Sequence, residues 1–169
     1  MIKRTLAFVA FASILACGSP QSKAFKSLQE QEKTFYTKYK TVELKKEDAQ
    51  EMIDVYQAFL DENPNFEKNP DIMLRYADVY MGTKQYFMAL GIFDSFERKY
   101  PNHKKKAYVL FNKGYACELA YKGSFFNKHR DFAFAYYKEF LEKYPKHTLA
   151  SSVKFSLEEL NKIQPKFIK

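Results

Sequence analysis

The chain has 169 residues, of which 46% are hydrophobic, 18% aromatic and 28% charged, with a net charge of +8 and a pI near 9.3. Five glycines leave no glycine-rich phosphate loop, and two cysteines allow at most one disulfide. A pI this high raises nucleic acid as the partner of a cytosolic protein, so the first question is whether the chain stays in the cytosol.

Its N-terminus says that it does not. Lys3 and Arg4 precede a mostly apolar run from Thr5 to Leu15, shorter than the ~20 residues that span a bilayer and suited to a signal peptide. The segment Ile14-Leu15-Ala16-Cys17-Gly18 that follows resembles a bacterial lipobox. That resemblance implies cleavage after residue 16 and a lipid on Cys17, with the outer membrane as destination, since Gly18 is not the aspartate of inner-membrane retention. Losing Lys3 and Arg4 lowers the net charge from +8 to +6. An exported lipoprotein does not meet nucleic acid, which removes that partner class. If Cys17 were not acylated, it could pair with Cys117 in an oxidising compartment.

Residues 17–26 are polar beyond the cysteine and lack periodicity, which reads as a lipidated N-terminus and tether. The folded part is expected over 27–163, with a short tail at 164–169. A first helix over Ser27–Tyr39 turns Leu28, Phe35 and Tyr36 inward. A second, entered through Lys45–Asp48 and ending near Asn63, carries Ala49, Met52, Ile53, Tyr56, Phe59 and Leu60. From Asp71 to Pro101 the steps of three and four in Met73, Tyr76, Ala77, Tyr80 and in Tyr86, Ala89, Phe93, Phe96 predict a helical hairpin. Gly82 supplies its reversal and Pro101 its end. After a basic connector at 102–106, Ala107, Leu110, Phe111, Gly114, Cys117 and Tyr121 share one helical face. Phe132, Ala133, Tyr136, Tyr137, Phe140 and Leu141 share the next. A last helix over Thr148–Ile163 has the stripe of a terminal cap, with Phe155 off it.

The ends of three helices recur: YQAFLDENPN from Tyr56, FDSFERKYPN from Phe93 and YKEFLEKYPK from Tyr137. Their prolines, Pro64, Pro101 and Pro145, lie 37 and 44 residues apart, a spacing typical of helical repeat arrays. The pattern resembles the tetratricopeptide repeat, which places a small residue and an aromatic in its first helix, then an alanine, an aromatic and a closing proline. Ala77, Tyr80, Ala89, Phe93 and Pro101 fill all five places, and Gly114, Ala133, Tyr137 and Pro145 fill four in the next copy. In that copy Cys117 takes the aromatic's place, and extra residues near Lys122–Arg130 part the helices. The resemblance implies an all-α, short α-solenoid of helical hairpins with a C-terminal capping helix. It also implies a protein-binding scaffold of the bacterial envelope. The short repeat lipoprotein looks most like the BamD type that serves outer-membrane protein assembly. The alternatives are an envelope and cell-wall coordination protein of the YbgF type and, more remotely, a cell-wall-active enzyme.

In that family the first helix of each pair lines a groove for a peptide segment or a folded partner. Carried onto this chain, the groove is Asp71, Leu74, Asp78 and Met81, then Tyr108, Phe111, Tyr115 and Glu118. Ordinary packing between repeats is the competing reading for each. Phe125 and Phe126, flanked by cations in the insertion, either fold back onto the array or form an exposed contact. Arg98, Lys99, Lys104–Lys106, Lys122, Lys128 and Arg130 read either as solvated connectors or as a patch for anionic lipid, glycan or an acidic surface. Cys117 reads as a small core residue, and His103, His129 and His147 have no partner at metal or catalytic spacing. No cofactor, metal or catalytic set is expected.

Overall fold

The computed structural model of the chain describes residues 19–40, 42–124 and 126–163. The signal segment, Cys17, Phe125 and the 164–169 tail lie outside them. The described residues form seven α-helices and no strand: α1 (Pro20–Lys38), α2 (Lys46–Glu62), α3 (Asn69–Gly82), α4 (Tyr86–Lys99), α5 (Lys106–Ser124), α6 (Asn127–Lys143) and α7 (Ala150–Lys162). Each helix packs on the next in sequence, so the chain runs up and down as an all-α array of hairpins. Odd-numbered helices therefore begin at the edge where even-numbered ones end.

The recurring motif has a recurring geometry. Asn63, Tyr100 and Tyr144 each donate a backbone N–H to Phe59, Phe96 and Phe140, at 3.0, 2.8 and 2.8 Å. Proline follows each cap and stops the helix. Each turn then repeats two backbone bonds three residues apart. Phe66, His103 and His147 donate to Asn63, Tyr100 and Tyr144, and Asn69, Lys106 and Ala150 donate in turn to Phe66, His103 and His147. His103 and His147 serve this turn twice over. Their Nδ1 atoms accept from the backbone of Lys105 and Leu149, and their rings lie against Phe96 and Phe140.

The core falls into two clusters, one running from α1 to Val109 of α5 and the other built from α5, α6 and α7 with Leu90 of α4 packed against it. Tyr56, Phe93 and Tyr137, the equivalent aromatics of the three copies, are fully buried. So are Phe96 and Phe140, whereas Phe59 is slightly less so. Between α5 and α6 the backbones approach closely at Gly114, where a Cβ would stand 2.6 Å from the Tyr137 ring.

Four expectations are corrected. First, the helix expected from Ser27 begins at Pro20, so residues 20–26 are helical and not a tether. Ser19 caps the helix by accepting the Ser22 N–H at 3.1 Å, and Pro20 opens it with its φ already set. Phe25 then packs on Phe59 and Phe66. Second, Tyr36 is 40% exposed, not inward-facing, and Phe132 is likewise exposed at 43%. Third, Gly82 stays helical, and the left-handed residue of the α3–α4 turn is Lys84 at φ 59. Fourth, the extra residues at 122–130 do not make a long loop. They lengthen α5 and α6, because Lys122 pairs with Glu118 and the Ser124 Oγ donates to the Ala120 carbonyl.

Candidate partner-binding face

Spacings of three, four and seven residues put Glu32 and Tyr36 on one stripe of α1, Asp71, Arg75 and Asp78 on one of α3, and Tyr108 and Tyr115 on one of α5. The three stripes meet. Arg75 Nε donates to Glu32 Oε1 at 2.6 Å, tying α3 to α1. From α2, the Tyr56 hydroxyl donates to the same oxygen at 2.8 Å. Burial pushes the Tyr56 pKa far up, so the hydroxyl remains a donor. Towards α5, Lys105 meets Asp71 at 2.8 Å and the Tyr108 hydroxyl donates to Asp78 at 3.3 Å. Polar links across the odd helices thus hold the face in register while Tyr36 and Tyr115 stay open at 40% and 39%.

The two aspartates on this face differ. The Lys105 hydrogen bond outweighs a smaller burial effect and holds the Asp71 carboxyl below the ordinary range. Asp78 is open to solvent by area, yet the atoms packed around it desolvate its carboxylate and raise its pKa, against the opposing pulls of Tyr108, Lys105 and Arg75. Its charge is under-solvated, and a donor or cation brought against it would relieve that.

The eight groove residues read from the sequence separate into layers. Asp78 and Tyr115 are exposed, while Asp71 and Tyr108 are half-buried and linked across helices. Phe111 stacks on Tyr115 with an interplanar angle of 13° and also reaches Tyr137 and Phe140. Met81 packs against the first core cluster. Leu74 and Glu118 are each only 3% exposed and present no surface. Glu118 is occupied from within: it accepts the Tyr137 hydroxyl at 2.6 Å and pairs with Lys122 at 2.6 Å. Sequence reasoning passes over Glu32 and Arg75 and turns Tyr36 inward. Glu32 and Arg75 lie 43 residues apart, and no local spacing signals such a pair.

Two further features were not legible either. A cleft of about 570 Å³ opens between α1 and α2, with Phe35, Met52 and Val55 in its apolar lining and Glu30, Glu47 and Glu51 in its polar lining. At the opposite edge from the proline turns, Phe87 and Phe126 flank His129 at ring distances of 4.9 and 5.1 Å, and both are exposed beside Met88. Phe126 therefore faces outward rather than folding back onto the array.

Cys117 is buried, which pushes its thiol up to about 11 and keeps it protonated near neutrality. Lys113 is almost buried too. Burial works to lower its pKa, but hydrogen bonds to Asp94 and Glu97 outweigh that and raise it, so it is a fixed cation joining α5 to α4. Among the described residues no group of three or more His, Cys, Asp or Glu could hold a metal ion. No described helix is long and apolar enough to cross a membrane.

The family described as YfiO, outer membrane lipoprotein, matches residues 28–164. No curated protein matches the chain.

Proposed function

The chain belongs to the YfiO family of outer membrane lipoproteins, and on that premise we propose that it is a lipid-anchored scaffold holding a segment of an envelope protein, in the service of outer-membrane protein assembly. One observation carries the reading. The odd-helix face is braced by links between helices, yet leaves Tyr36, Asp78 and Tyr115 unburied. Exposed tyrosines on a rigid support give large contact area at little entropic cost. The under-solvated Asp78 carboxylate would accept a backbone N–H or a cation from a bound segment. Leu74, Phe111 and Glu118 support the face from beneath, and Met81 and Asp71 complete its floor and rim.

Cys17 is the proposed attachment site. Its thioether-linked diacylglycerol and N-terminal acyl chain bury many methylenes at about 0.8 kcal/mol each, so anchoring is stable where a single chain would be marginal. In this reading the protein is a scaffold and not a catalyst, and its partners are proteins and the bilayer.

The test is affinity purification from gently solubilised outer membranes, comparing the wild type with an Asp78→Lys, Tyr115→Ala double variant. Both positions are exposed, so no core side chain is removed. A barrel-assembly protein recovered with the wild type and lost with the variant supports the reading. Cell-wall enzymes recovered instead would favour a YbgF-type coordinating role. The same barrel-assembly protein at equal yield from both samples would remove this face from the account.

A further inference from the structure

The edge formed by the three proline turns is also where α1 begins. Phe25 lies 5.1 Å from Phe66 and 6.3 Å from Phe59, and Lys68 Nζ stands 4.9 Å over the Phe25 ring. The first turns of α1 are thereby pinned beside the α2–α3 turn. Only Gly18 and Ser19 separate Cys17 from the first helical residue. Three residues at full extension span about 10 Å, close to the Debye length of about 8 Å at physiological salt. An acylated Cys17 therefore keeps this edge within electrostatic reach of the bilayer surface.

Two of the three turns on this edge are cationic in a way that folding does not require, while the α2–α3 turn sets Lys68 beside Glu62 and Glu67. Residues 98–106 hold five Lys and Arg and no carboxylate, and residues 144–149 hold Lys146 and His147 with none. Arg98 and Lys99 suit the C-terminus of α4. Lys104 and Lys106 do the reverse: they stand at the N-terminus of α5, where the helix dipole disfavours a cation. α1, α5 and α7 all lack an acidic residue in their first turn. Among the described residues, Lys105 is paired with Asp71, whereas Lys68, Lys99, Lys104, Lys106 and Lys146 form no ion pair. At the opposite edge Lys84 meets Glu43 and Lys122 meets Glu118, but among the described residues Lys40, Lys45, Lys46 and Lys128 form no ion pair there either, so it is nearness to Cys17 that sets the proline-turn edge apart. The sequence groups all these cations together; the fold separates them.

We propose that the edge carrying Lys68, Lys99, Lys104, Lys106 and Lys146 lies on the membrane and binds anionic phospholipid headgroups, fixing the orientation of the array. The idea rests on acylation of Cys17. It leaves the Phe87–Phe126 edge and the odd-helix face turned away from or across the bilayer surface, free for protein partners.

The experiment is lysine acetylation footprinting of the full lipoprotein in nanodiscs of phosphatidylcholine alone or mixed with phosphatidylglycerol. Intact mass is measured first. In the anionic discs, labelling of Lys104, Lys106 and Lys146 should slow several-fold, and high salt should restore it, while Lys40 and Lys128 at the other edge stay unchanged. A Lys104→Glu, Lys146→Glu variant should remain in the discs but lose the protection of Lys99. Acylated protein with equal labelling in both discs, or with Lys128 protected instead, overturns the proposed orientation and leaves the anchor standing. An intact mass without acyl chains overturns both.

Discussion

Gly114 occupies a place where the tetratricopeptide pattern asks for a small residue, and the structure gives the physical reason in the Tyr137 ring. Gly114→Ala puts a methyl 2.6 Å from a fully buried ring whose hydroxyl is held by Glu118. We expect a loss of about 1–3 kcal/mol from overpacking, larger than the helix-propensity gain of alanine. Denaturant titration would show a lower midpoint at unchanged slope. Lys84 points the other way. A lysine at φ 59 carries a left-handed penalty, and its contact with Glu43 is exposed at both ends. Lys84→Gly should therefore stabilise the fold by roughly 0.5–1 kcal/mol in the same titration. The two aspartates of the candidate face separate by pH. Asp71, held low, contributes stability above the ordinary carboxylate range that is lost as pH falls through its folded value. Asp78, held high, loses stability as pH rises through its folded value. Relative to wild type, Asp78→Asn should raise the Tm at neutral pH and Asp71→Asn lower it, both differences shrinking in acid. The Asp71 effect is small, because the pair is half-exposed. A spacing rule finds Asp71 and Asp78. Only the packed structure shows that their carboxyls shift in opposite directions.

At the scale of the helix, the legible parts were those with strong periodicity. The α3–α4 hairpin and the three Phe–Pro ends follow from steps of three and four and from proline, because the same face is buried in each copy. α1 was only half legible. Its single buried residue is Leu28, so its apolar pattern is thin, and its true start lies in a Ser-Pro cap inside a polar stretch. The helical state of the insertion is hidden for a related reason. Glycine, serine and phenylalanines resemble a loop locally, but Lys122–Glu118 and Ser124–Ala120 bonds carry α5 onward. The added length lets Arg130 donate to the Leu160 carbonyl at 3.0 Å, across to α7. Arg130→Ala should loosen that capping helix by about 1 kcal/mol. The check is amide exchange, faster over 150–162 with the proline turns unchanged. Uniform acceleration through the chain would mean that α7 opens only with the whole.

Over the whole molecule, two cores share α5 and a run of polar links crosses the odd helices, so the array presents one braced face. The fold class followed from three copies of one motif. The working surface did not, because Glu32, Tyr36 and Arg75 join residues from different repeats and no single repeat contains the pattern. The most direct measurement is photo-crosslinking in intact cells. A benzoylphenylalanine is placed in turn at Tyr36 and Tyr115 on the odd-helix face and at Asp54 and Lys138 on the exposed flanks of even helices. Crosslinks to one envelope protein from Tyr36 and Tyr115, absent from Asp54 and Lys138, are expected for a scaffold that binds through the odd helices. Crosslinks from Asp54 and Lys138 alone would contradict it and move the partner to the other side of the array.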